Sequence, residues 1–323
     1  MSDNMLDRNN NNSRLLNKNV RYEIDVEYAI QINRWLFKPL GVWPLSHQAG
    51  GVERNFARFL IVVCSFLLGF ILVPGSLYTF VKEKNAGVRV KLVGALSFCV
   101  MAIVKYGSLI CSRRDIGQCI EHLVDDWRRV GNSGDRDIML AHALFGRYGS
   151  VICAVFMYGG GLFYAGIMPL LRGSVVVAEL NMTIRPLAYP SYYVIFDPQM
   201  KPAYRIVLST HWCCAFVMHS IATAGCSMAV VFVMHACGQL EILVSWLNSL
   251  VDGNEKQLES LDTRIACVID HHVRVLRFVS CVENILRTIC LVEMAGCTLN
   301  LCLLGHYFLL VRFLVIIKVQ IQI

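Results

Sequence analysis

Long apolar runs alternate with short polar segments along most of the chain, and the runs are longer than the helices of a water-soluble core need. A hydrocarbon layer about 30 Å thick takes roughly 20 apolar residues as a helix. Five runs meet that length: residues 59–80, 91–111, 150–171, 206–234 and 289–310, the last continuing to 317. The polar segments carry periodicities of their own. Ile116, Ile120, Leu123, Val124 and Trp127 recur at helical spacing, which predicts an amphipathic helix between runs two and three. Leu240, Leu243, Val244, Leu247, Leu250 and Val251 carry the fourth helix past the bilayer. Leu261, Ile265, Val268, His272, Val275, Val279, Val282 and Leu286 alternate steps of four and three, a heptad seam placed just before run five with His272 as its one polar member. Such a seam buries itself against another helix, in the same chain or across an interface.

These elements predict an all-α, polytopic membrane helical bundle. Its expected parts are a cytoplasmic N-terminal segment 1–58, membrane helices one to four within 59–234 with an outer loop at 173–205, cytoplasmic helical extensions over 235–288, and membrane helix five at 289–317. Composition agrees: 56% hydrophobic residues over 323 positions excludes an ordinary soluble domain. The net charge of +7 would point to nucleic acid in a soluble protein, but here its distribution sets orientation instead. Basic residues crowd the N-terminal segment (Arg8, Arg14 and Lys18 among them) and the loops after run two (Arg113, Arg114, Arg128, Arg129) and run four (Lys256, Arg264, Arg274), and they are sparse elsewhere. The bias puts the N-terminus in the cytoplasm, with the first run as its own insertion signal because residues 1–30 are polar and Asn-rich. Of the two sequons, at Asn11 and Asn181, only Asn181 then faces outward and carries glycan.

Candidate chemistry is thin. Fourteen cysteines are present, yet the loops 81–90 and 173–203 hold none and no CxxC pair occurs, so neither disulfide stapling of an ectodomain nor a zinc site is expected. His211 and His219 are eight apart, and His235 and Cys237 point about 200° from each other on a helix, so neither pair can share a metal. No phosphate-binding glycine loop, HExxH or Gly-x-Ser-x-Gly elbow appears, and no enzyme or cofactor is expected. Within the runs, Lys105 can snorkel inward, Glu283 and Arg287 are spaced to pair, Glu293 needs a partner, and Gly159 to Gly161 permit close packing or a kink.

Three stretches bear on family: FDPQMKPAYRI from residue 196, VFVMHACGQLEIL from residue 231, and VEMAGCTLNLCLLGHYF from residue 292. Together they resemble the insect odorant receptors, especially hymenopteran members, over nearly the whole chain. The resemblance implies a subunit of an odorant-gated, nonselective cation channel in the plasma membrane of olfactory sensory neurons. It would assemble with the odorant co-receptor, as a tetramer, and bind small volatile organic ligands. It implies a pocket in the outer half of the bundle, for which the candidates by position are Phe98, Met101, Tyr158, Phe163, Tyr164, Met168, Thr210, His211, Trp212 and Phe216. It also places the seam residues Leu261, Ile265, Val268, His272, Val275 and Val279 in a cytoplasmic anchor between subunits. Against the family pattern, five of seven membrane helices are present, and the final VIIKVQIQI alternates like a strand. A truncated, non-conducting product that binds only the co-receptor is therefore one alternative. A gustatory receptor and a G-protein-coupled-type chemoreceptor are the others.

Overall fold

The computed structural model describes residues 19–45, 50–167, 171, 175–177, 182–184, 187–194, 196–251 and 261–321. Helix α1 (Tyr22–Phe37) is followed by α2 (Gly51–Leu77), which ends in a wider π-turn at Tyr78–Lys82, then α3 (Ala86–Cys111) and α4 (Arg113–Arg129). Next come α5 (Ser133–Leu162) with a second π-turn at Phe163–Ile167, α6 (Lys201–Val251) and α7 (Leu261–Ile321). A hairpin of two short antiparallel strands, β1 (Val175–Val177) and β2 (Met182–Ile184), lies between α5 and α6 with Val176 opposite Thr183. Helices α2, α3, α5, α6 and α7 are long and apolar enough to cross a membrane.

Local chemistry explains several boundaries. The Asn85 side chain accepts hydrogen bonds from the backbone N–H groups of Gly87 and Val88 and starts α3, and Asn132 accepts from Gly134 and starts α5. Pro74 lies within α2 one turn before the π-turn, where its missing N–H already interrupts the ladder. Gly41 takes φ +70 in the turn after α1, and a Cβ there would stand 2.5 Å from the carbonyl oxygen of Ala57.

Helix α6 is the axis of the bundle. Of its apolar window 61% is buried, against 11–22% for the other four membrane-length helices, and it touches α1, α2, α3, α5 and α7. Gly149 lets α5 come close enough that an added Cβ would meet Val230 at 2.8 Å. One end of the bundle carries the hairpin, the end of α2, and the starts of α3 and α6. Tyr192 closes this end by donating its backbone N–H to the Pro74 carbonyl at 3.0 Å, with the Lys82 ammonium over its ring. The other end gathers α1, α4, the second half of α6 and the first half of α7.

Two expectations change. Residues 315–321 of the terminal VIIKVQIQI are not a strand, since α7 runs unbroken through them to Ile321; in an apolar setting a helix satisfies its own backbone, and side-chain alternation does not override that. Helix α1, within the segment read as polar, is amphipathic and buries Val26, Ala29, Ile30 and Phe37. Its Asp25 accepts two hydrogen bonds from Arg136 on α5 at 2.7 and 2.8 Å. Burial pushes the Asp25 carboxyl up, but the bonds from Arg136 and Asn19 prevail and hold it below the usual carboxylate range.

Candidate functional site

Near the middle of the bundle, residues from three membrane-length helices meet. Phe98 of α3 lies 5.2 Å, ring to ring, from His219 of α6. Tyr158 of α5 stacks on Phe216 at 5.5 Å, and its hydroxyl hydrogen-bonds Ser220 at 2.8 Å. The approach depends on Gly161, where a Cβ would fall 2.8 Å from the imidazole of His219. His219 Nδ1 is 2.7 Å from the Ala215 carbonyl, so Nδ1 carries the proton and Nε2 is left as an acceptor. The result is a mostly aromatic junction with a few fixed polar atoms, the composition typical of small-molecule sites.

A second cluster sits nearer the hairpin. His211 is fully buried, its Nε2 3.1 Å from the Tyr193 hydroxyl and its ring against Phe70 and Tyr189. Burial pushes the Tyr193 hydroxyl up to about 12, so it stays protonated beside Nε2. Nδ1 of His211 has no partner among the described residues.

The expected pocket residues therefore fall into separate groups. Phe98, Tyr158 and Phe216 come together; His211 belongs to the neighbouring cluster; Tyr164 reaches that cluster through Tyr189, ring centroids 5.6 Å apart. Trp212 donates its indole N–H to the Ala165 carbonyl at 3.0 Å, and Thr210 donates to the Ile206 carbonyl of its own helix. Phe163 is exposed, and Met168 and Asn181 lie outside the described residues. Met101 is turned instead toward α7, where it lines a cavity of about 480 Å³ with Leu72, Phe80, Leu96, Val292 and Leu299. Sequence reasoning missed Phe70, Tyr189, Tyr193, His219 and Ser220 as site members. Only the i, i+3, i+4 spacing of Phe216, His219 and Ser220 on one helix face signalled any of them.

Below that cavity Lys105 of α3 forms an ion pair with Glu293 of α7. Lys105 does not snorkel: its side chain is 2% exposed. No ion pair joins Glu283 to Arg287 among the described residues.

At the far end, His235 of α6 is 3.0 Å from the Asp126 carboxylate of α4, which also accepts from Arg274 of α7. Phe278 packs on His235 and on His122. Burial pushes Asp126 up, but its hydrogen bond with His235 and the nearby positive charges outweigh this and hold the carboxyl below its ordinary range. Burial holds His122 below its usual 6.5. The heptad seam divides here. Val275, Val282 and Leu286 are buried within the chain, whereas Leu261, Ile265, His272 and Val279 stay exposed and Val268 is half-buried. No group of three or more His, Cys, Asp or Glu side chains able to hold a metal occurs among the described residues.

Five membrane-length helices around one buried axis, with aromatic side chains converging near the middle, define a multi-pass membrane bundle with a candidate small-molecule site. Comparison with known proteins gives this class its family. The family model described as 7tm Odorant receptor matches residues 90–320, well over half the sequence, and the chain belongs to that family. The family is one of receptors, not enzymes. The fold is similar to that of the insect olfactory receptor OR5 from Machilis hrabei, with TM-score 0.65 and 13% identity over 87% of this chain and 72% of that one. The same receptor in complex with eugenol gives 0.70 and 15% over 89% and 72%. No curated protein matches.

Proposed function

We propose that this odorant-receptor-family chain binds volatile organic ligands near the middle of its bundle and works as a subunit of a ligand-gated, nonselective cation channel together with the odorant co-receptor. The observation that supports it is the junction of Phe98, Tyr158, Phe216, His219 and Ser220, drawn from three helices. A volatile ligand burying roughly 200 Å² of apolar surface gains about 5 kcal/mol before entropy costs, which caps the affinity from burial alone at about 0.2 mM. The exposed face of Leu261, Ile265, His272 and Val279 favours assembly through the first half of α7, with Val268 and Val275 shaping the contact. The plasma membrane of olfactory sensory neurons, a cytoplasmic N-terminus and a glycan on Asn181 complete the reading.

The test is thermal unfolding of the chain in lipid nanodiscs against a panel of volatile phenols and terpenoids, beginning with eugenol. Concentration-dependent stabilisation is expected for some of the panel, lost in Phe98→Ala and weakened in Tyr158→Phe, and retained in Ile265→Ala. Stabilisation that both site variants retain in full, or none across the panel, overturns the ligand assignment. Topology is read separately from the glycosidase-sensitive mass, which Asn181→Gln should abolish and Asn11→Gln should leave unchanged.

A further inference from the structure

Two polar contacts join helices α4 and α7 on either side of the His122–Phe278 packing. One is the ion pair of Asp126 with Arg274. The other is a pair of thiols: Cys119 Sγ of α4 lies 2.6 Å from Cys281 Sγ of α7, and both cysteines are free. From Cys119 to Asp126 is seven residues forward, and from Cys281 to Arg274 is seven back. The helices therefore run antiparallel, and the two junctions sit one heptad apart, about 10.5 Å along each axis. The thiol contact thus recurs in phase with the salt-bridged one, as it must if one packing seam makes both.

We propose that Cys119 and Cys281 form a reversible, peroxide-responsive dithiol that cross-links α4 to α7. Cys281 is the half-buried member, its thiol also 3.8 Å from the Asp115 carbonyl, and a small peroxide reaches it. Cys119 is wholly buried. In the reaction the Cys281 thiolate attacks one oxygen of hydrogen peroxide, breaking the O–O bond to give a sulfenic acid and, after proton uptake, water. The Cys119 sulfur then attacks Cys281 Sγ, the S–O bond breaks, and the Cys119 proton leaves with the hydroxide as a second water. Two thiols lose two electrons in all, and one peroxide gains them. Burial pushes the Cys119 thiol up, which keeps it protonated and unreactive toward peroxide until its neighbour has been oxidised. Disulfide bond length is about 2.05 Å, so the sulfurs need approach by only about 0.5 Å. In a reducing compartment the resting state is the dithiol, and the disulfide is transient.

The experiment uses native membranes containing the whole chain, treated with hydrogen peroxide, blocked with N-ethylmaleimide and digested with trypsin without reduction. Cleavage after Arg114, Arg128, Arg277 and Arg287 releases peptides 115–128 and 278–287, each with a single cysteine. The expected product is these two peptides joined, lighter by two hydrogens than their sum. It should rise with peroxide, vanish with dithiothreitol, and be absent from Cys119→Ser and Cys281→Ser. In Cys119→Ser, the 278–287 peptide should instead be trapped by dimedone as the sulfenic acid. Recovery of both peptides unlinked, at a peroxide concentration that oxidises the exposed Cys111 and Cys237, overturns the proposal. So does cross-linking of Cys281 to some other cysteine in the wild type.

Discussion

The Lys105–Glu293 pair gives the sharpest test of how the bundle holds together, because both residues lie within membrane-length helices and the protein encloses them unequally: the side chains are 2% and 29% exposed. Glu293→Gln keeps the size and hydrogen-bonding capacity of the side chain but removes the counter-charge, stranding a buried ammonium. Removing one partner of a buried pair costs about 3–5 kcal/mol. Lys105→Met leaves a carboxylate that the protein encloses less completely than it does the ammonium, so its cost should be smaller, about 1–3 kcal/mol. The double variant removes both charges and should recover most of the loss, since replacing both members of such a pair is often neutral or stabilising. The assay is thermal unfolding in nanodiscs. At about 2 °C per kcal/mol for a chain of this size, Glu293→Gln should lower Tm by about 6–10 °C, Lys105→Met by about 2–6 °C, and the double variant by less than Glu293→Gln alone. A double variant that unfolds at the additive sum of the two singles refutes the reasoning, because the two charges would then be acting separately.

Three further outcomes follow from other contacts. Gly161→Ala drives a methyl into the imidazole of His219 and should cost about 1–3 kcal/mol, with the loss of ligand stabilisation exceeding the loss of Tm, whereas Gly225→Ala, whose Cβ would meet Ile289 at an ordinary 3.4 Å, should leave both near wild type in the same unfolding scans. Trp127→Ala empties the site of a large, fully buried side chain at the far end and should cost about 3–5 kcal/mol by the same scans. For His122, burial favours the neutral form in the folded chain, so the unfolded chain takes up the proton first. Its stabilising contribution is full above pH 6.5 and is lost as pH falls through the lower folded value; Tm should therefore drop between pH 7 and pH 5 by more in the wild type than in His122→Gln, and equal slopes would remove His122 from the account.

Local periodicity was the legible part of this molecule. The five membrane-length helices follow from the length of the apolar runs, and the amphipathic α4 with Ile116, Leu123 and Trp127 buried and the continuation of α6 past residue 234 follow from spacings of three and four. Helix α1 shows the same spacing at Val26, Ala29, Ile30, Asn33 and Phe37, but short polar intervals masked it inside a segment read by its overall polarity. Pairings across the sequence were not legible at all. Lys105 and Glu293 are 188 residues apart, and nothing in either neighbourhood names the other. The aromatic site was legible as a type of residue on α5 and α6 but not as a grouping. Rotation of each helix decides which ring meets which, and the loop residues Tyr189 and Tyr193, which cover His211, carry no period to read.

The stretch VFVMHACGQLEIL shows how far such rotation changes a reading. By composition its polar residues mark the place where an apolar helix meets water. In the fold, His235 contacts Asp126, the Gln239 side chain donates to the Met139 sulfur at 3.4 Å, the Gln239 carbonyl lies 3.1 Å from His271 Nε2, and Glu241 pairs with His142 at 2.6 Å. Those partners lie on α4, α5 and α7, so the segment is the point where the central helix is bound to three others. Polar groups serve here because the contact must be specific in register: a hydrophobic seam tolerates sliding by a turn, whereas a carboxylate held by both an imidazole and a guanidinium from different helices does not.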